Sequence, residues 1–149
     1  MHRFSLALLL SLPGLCLAAP PLPFSGQNLS GVYDCTGHDA LEGDYQATVT
    51  LTLNSAQSTG ANGGYDLKME VPGYGVYLGS VVGNGGNIAI TFAHTDPKTK
   101  DFGTGLGTVT YGPQGAVSFS KFYYEPQFRG SDHGTEDCTR RTPIVPPAP

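Results

Sequence analysis

The chain has 149 residues, a net charge of −4, three cysteines, 21 glycines and no tryptophan. No basic cluster exceeds Arg140-Arg141, so the phosphate neutralisation that nucleic-acid binding rests on is not supplied. After the N-terminal segment no apolar run reaches the roughly 20 residues needed to cross a bilayer as a helix, so no integral membrane segment of that kind is expected there.

Residues 1–18 read as a secretory signal. Met1-His-Arg is a short positive stretch, Phe4 to Leu12 is apolar, and Cys16-Leu17-Ala18 offers small residues for cleavage after Ala18. Lipidation of Cys16 is the alternative, but Leu15 is larger than the residue expected before such a cysteine. Export leaves 7 basic residues, Arg3 having gone with the signal, against 12 acidic ones, a net charge of −5. The expected location is secreted or periplasmic. Cys16 is lost too, and the remaining Cys35 and Cys138 are an even pair in an exported chain. A disulfide between them is expected, with two buried free thiols as the alternative.

Residues 19–27 form a Pro-rich leader, and residues 142–149 a Pro-rich tail. The sequon Asn28-Leu-Ser30 matters only in a host that glycosylates. Between leader and tail lies one domain, residues 28–141. It opens with Asn28 to Gly37, read as a first strand. Asp44 to Asn54 alternates strictly, with Tyr45, Ala47, Val49, Leu51 and Leu53 facing one way. Gly64 to Val71 repeats the pattern, and Tyr74 to Val82 follows less cleanly. Asn87 to His94 places Ile88, Ile90 and Phe92 on one face. Phe102 to Tyr111, Gly115 to Glu125 and Gly130 to Arg141 complete eight segments. None has a 3.6-residue period, so almost no helix is expected. Gly83-Asn-Gly-Gly86 and Gly112-Pro-Gln-Gly115 have the composition of tight hairpin turns.

Eight sequential strands, with a staple from first to last, predict an all-β, antiparallel up-and-down meander closed into a barrel. A two-sheet β-sandwich is the alternative. Gly31-Val32-Tyr33 on the first strand, with Arg140 or Arg141 on the last, resembles the calycin group of lipocalins and avidins. The group's pattern is Gly-x-Trp, with the tryptophan packed under a late arginine across the closed base. The resemblance implies a barrel that binds a ligand. Here tyrosine stands in for tryptophan, which argues against a tryptophan-walled biotin site.

In a meander, alternate loops share an end. One end should collect the connections between strands one and two, three and four, five and six, and seven and eight. The candidate binding residues there are His38, Asp39, His94, Asp96, Asp101, Arg129, Asp132 and His133, with Glu42, Asp44, Lys98, Lys100 and Glu125 nearby. His38-Asp39 and Asp132-His133 could ligate a metal with His94. However, no H-x-H, H-E-x-x-H or EF-hand spacing is present, so neither metal nor cofactor is assigned. Gly-rich Asp101 to Gly107 leads into a strand rather than a helix, so its glycines mark barrel bends rather than a phosphate loop. Lys121 shares a face with Val117, Phe119 and Tyr123, and must find a partner if that face is the interior. No Gly-x-Ser-x-Gly elbow and no free cysteine after processing point to catalysis, and no catalytic residue is assigned. The expectation is a small exported binding protein, holding a small molecule or a protein partner at the charged end, of inhibitor or immunity type. The alternative is a small hydrolase or isomerase using His94 with a rim carboxylate.

Overall fold

The computed structural model describes residues 21–142. The signal segment, residues 19–20 and the tail from residue 143 lie outside them. Eight strands follow in order: β1 (Gly31–Asp39), β2 (Gly43–Leu53), β3 (Asn62–Val71), β4 (Gly75–Asn84), β5 (Asn87–His94), β6 (Phe102–Tyr111), β7 (Val117–Glu125) and β8 (Asp132–Arg140). Each pairs antiparallel with the next, and β8 returns to β1, so the sheet is a closed barrel rather than a sandwich. The only helical elements among the described residues are four three-residue 3-10 turns. None is long or apolar enough to cross a membrane.

Alternation in the sequence sets the two faces. Val49 and Leu51 on β2, Leu67 and Met69 on β3, and Ile88 and Ile90 on β5 are all buried, while Thr52, Asp66, Lys68, Glu70, Ala89 and Thr91 between or beside them are exposed. On β1 and β8, Cys35 stands directly opposite Cys138, their Cα atoms 4.1 Å apart, and the two are disulfide-bonded. Both sulfurs are in the core, so the staple ties the first strand to the last from within.

Inward glycines make closure at this curvature possible. A Cβ at Gly105 would approach the Phe122 carbonyl oxygen to 2.7 Å, and one at Gly107 the Ser120 oxygen to 2.5 Å. The expected bends on β6 are therefore places where its backbone is pressed against β7. Elsewhere aromatic rings lie over inward glycines. Tyr45 covers Gly37, and Tyr123 covers Gly134, its partner across the β7–β8 ladder.

The base of the barrel is plugged. Tyr33 is fully buried, packs against Phe119 with ring centroids 5.1 Å apart, and donates to the Leu29 carbonyl at 2.7 Å. Burial pushes its hydroxyl up to about 12. Arg140 closes the base beside it, donating to the carbonyls of Asn28, Ser30 and Gly115. Arg141 instead faces outward to Asp34. Of the two late arginines, Arg140 thus occupies the place the Gly-x-aromatic pattern implies, and the architecture is compatible with a calycin-like barrel. Residues 21–27 also pack near this end: Phe24 bridges to Gly60, and the Gln27 carbonyl accepts from Tyr65.

Candidate functional site: the acidic mouth

The inward series on each strand runs from the plugged base to the opposite, open end. On β7 it passes Val117, Phe119, Lys121 and Tyr123 and ends at Glu125. On β8 it runs from Cys138 through Glu136 and Gly134 to Asp132, and on β1 from Tyr33 through Cys35 and Gly37 to Asp39. The same alternation that fills the core therefore delivers carboxylates to the mouth.

Lys121 is indeed inward, and its partner is Glu136, at 3.0 Å. The two are register neighbours across β7 and β8. Their side chains are 2% and 0% exposed, and Tyr45 adds a 2.8 Å hydrogen bond to the Glu136 carboxylate. A buried pair this well bonded is locally neutral, and removing either partner would strand the other's charge.

Above that pair the balance fails. Asp39, Asp101, Glu125 and Asp132 are all buried, at 6%, 8%, 6% and 2% exposure. Oxygens of Asp39, Glu125 and Asp132 lie within 4.8 Å of one another. The pocket beside them holds about 50 Å³ of free space and is walled by Tyr74, Tyr77, Phe92, Tyr123 and Phe128. Among the described residues Lys121 is the only lysine or arginine lining it, and it is committed to Glu136.

Each carboxylate has a different set of partners. Asp39 accepts from the backbone N–H groups of Leu41 and Glu42 at 3.0 and 2.8 Å, and from the Tyr123 hydroxyl at 3.0 Å. Burial would push its carboxyl up, but these bonds together hold it below the usual carboxylate range. Burial raises Asp132, and the charge of Asp39 beside it adds to the rise, against a hydrogen bond from its neighbour His133 N–H at 2.7 Å. Burial pushes Glu125 up to about 8, with the facing charges of Asp101, Asp39 and Asp132 adding to it. Asp101 accepts from the Tyr77 hydroxyl at 2.6 Å through Oδ2, while its Oδ1 has no partner, like Oδ2 of Asp132.

The structure thus brings three of the candidate residues together, Asp39, Asp101 and Asp132, and separates the others. His38 alternates outward and bonds Asp44 at 2.6 Å. His133 is exposed on the outer wall beside Phe122. His94 continues the inward series but is held in place by neighbouring loops. Its Nδ1 accepts from Asp96 N–H at 2.9 Å, its Nε2 donates to the Tyr74 carbonyl at 3.2 Å, and its ring packs on Tyr77. A hydrolase or isomerase step at His94 would have to give up one of these bonds. Asp96 is exposed and accepts from Lys98 N–H at the start of the 97–99 turn. Arg129 is exposed and bridges to Glu42 at 2.5 Å across two loops. Among the described residues, neither cluster of potential metal-ligating groups contains a histidine. The second cluster, around Cys35, Cys138 and Glu136, has its two sulfurs spent in the disulfide.

Glu125 and Glu136 complete the interior chemistry, and strand parity alone could have found both. Glu125 lies two residues beyond inward Tyr123, and Glu136 two before inward Cys138. No protein-family model, curated protein or solved structure matches this chain.

Proposed function

We propose that the chain is an exported binding protein acting through the charged open end of its barrel, where it holds a ligand or a protein partner, as an inhibitor or immunity-type protein would. One observation carries the reading: the interior is filled and the base plugged, while the mouth keeps only about 50 Å³ of free space, bordered by buried carboxylates that outnumber the cations beside them among the described residues. Enclosed small-molecule sites are roughly 300–1,000 Å³, so transport of a lipid-sized ligand inside the barrel is the weaker version. A small positive group, free or presented on a partner's surface, fits both the charge and the aromatic walls. The disulfide and the leading segment support export to an oxidising compartment, secreted or periplasmic.

The test pairs stability with binding. Asp96→Ala and Arg129→Ala alter the exposed rim, and Tyr111→Ala alters an exposed residue near the base. Cross-linking in the exported fraction should recover a partner with the native protein and the Tyr111 variant, and much less with the rim variants, at unchanged melting temperature. Loss confined to the Tyr111 variant would refute the rim. Attention would then move to the base or to the outer wall, where Leu78, Val82, Leu106 and Phe122 are exposed.

A further inference from the structure

We propose that the mouth of the barrel is a calcium site, ligated by one carboxylate oxygen each from Asp39, Glu125 and Asp132, with Asp101 at its edge. The inference rests on the reading of the mouth as a binding site and gives its first occupant a chemistry.

Two independent observations carry it. The first is geometric. Oxygens on opposite sides of a calcium ion are about 4.6–5.2 Å apart, twice the usual Ca–O distance. The three carboxylates offer oxygens all within 4.8 Å of one another. The second is an unmet demand for a positive charge. Asp132 is 2% exposed and its Oδ2 has no partner, and Asp101 is 8% exposed and its Oδ1 has none. Buried carboxylates are ordinarily paired or bound to a cation, because an isolated buried charge is very costly. Among the described residues, the one lysine that lines the pocket, Lys121, is taken by Glu136, and the nearby Arg129 is paired with Glu42.

The donor set names the ion. It is all oxygen, with no imidazole and no free thiol, which selects a hard cation over zinc or copper. The ligands come from the end of β1, the end of β7 and the start of β8. Calcium tolerates such irregular coordination and takes 6–8 oxygens, whereas magnesium demands a near-ideal octahedron. Water in the free space beside Glu125 and Asp101 supplies the remaining ligands. The ion would tie the β1–β2 and β7–β8 connections together, the same two that Arg129 and Glu42 bridge above it.

The experiment uses the oxidised protein, stripped of ions with a chelator and dialysed. Calcium chloride at about 10 mM should raise the melting temperature by about 5–10 °C, with half-saturation at or below about 1 mM, the range of extracellular calcium modules. Magnesium should do far less. Terbium should show tyrosine-sensitised emission, since Tyr123 bonds Asp39 directly, and calcium should displace it. Asp132→Asn and Glu125→Gln should each weaken half-saturation at least tenfold while raising the melting temperature of the ion-free protein, because each relieves crowded acids. If one variant does not fold, the other reads the same outcome. Asp66→Asn, exposed on β3, should behave as the native chain. A flat calcium titration, an equal magnesium response, or a response that survives the variants overturns the site. These readouts involve no partner. A flat titration alongside partner capture that still depends on Asp96 and Arg129 would remove the ion and leave the binding reading standing.

Discussion

At the scale of single residues, Glu125 shows how position converts an ordinary side chain into a sensitive one. Its carboxyl is raised from 4.5 to about 8 by burial and by the facing charges of Asp101, Asp39 and Asp132. A raised folded-state value means the folded protein keeps a proton that the unfolded chain releases. The associated stability is fully present below pH 4.5 and is lost as pH rises through about 8. Asp132 is raised as well and acts in the same direction. Asp39 is lowered, so its opposite effect is confined to pH below 3.8. In chelator the melting temperature should therefore fall between about pH 5 and pH 9, and Glu125→Gln should flatten the curve. A native curve that rises over that interval would contradict the arrangement. Half of this chemistry was legible in the sequence. Asp39, Asp101 and Asp132 belong to the expected rim, because a meander gathers alternate loops at one end. The histidines share that end in sequence but find separate partners in the structure. A loop position says which end a residue occupies, not whether its side chain points into the barrel. Lys121 is the complementary case. Parity placed it inside, but its partner Glu136 depends on the register between β7 and β8, which local sequence does not set.

At the scale of elements, the strands follow the alternation closely. β5 and β6 have the bounds the pattern implies, and the others differ by a few residues at their ends. The glycines carry the part that alternation cannot express. Gly79 lies between inward Tyr77 and Val81 on β4, and a Cβ there would be 1.8 Å from the Thr91 carbonyl oxygen. That neighbour is backbone, so relief requires moving β4 against β5. Gly79→Ala is expected to destabilise by at least the upper end of the about 1–3 kcal/mol typical of overpacking. Gly86, in the β4–β5 hairpin, is the control. Its nearest neighbour would be 3.8 Å from a new Cβ, and Gly86→Ala should change stability by no more than about 0.5 kcal/mol. Urea denaturation of both variants decides the matter, and equal costs would show that the barrel relaxes at Gly79. A sequence announces that such a strand bends, but which carbonyl fills the missing side chain's place is a property of the closed sheet.

At the scale of the whole molecule, closure rests on the β1–β8 seam and on the Cys35–Cys138 bond across it, 103 residues apart in sequence. In the chain-entropy account, closing so long a loop stabilises the fold by about 4–5 kcal/mol. A Cys35→Ala, Cys138→Ala double variant should lose a comparable amount in urea denaturation. A loss below about 1 kcal/mol would mean that hydrogen bonding along the seam suffices. The expectation of export and the even cysteine count it leaves made this bond readable in advance, and the inward Cys138 then fixes the parity of all of β8.

The same seam governs when the protein can begin to act. Asp39 closes the first strand and Asp132 opens the last, so the acidic mouth does not exist in any nascent fragment that lacks the final strand. Its two halves meet only after the whole domain has been delivered and the most distant pairing in the chain has formed. Such non-local pairing places folding in the slow range, about milliseconds to seconds. An unfinished or misclosed chain therefore presents an open sheet edge and only half of the acidic mouth, so recognition there, as proposed, would begin only with the completed ring.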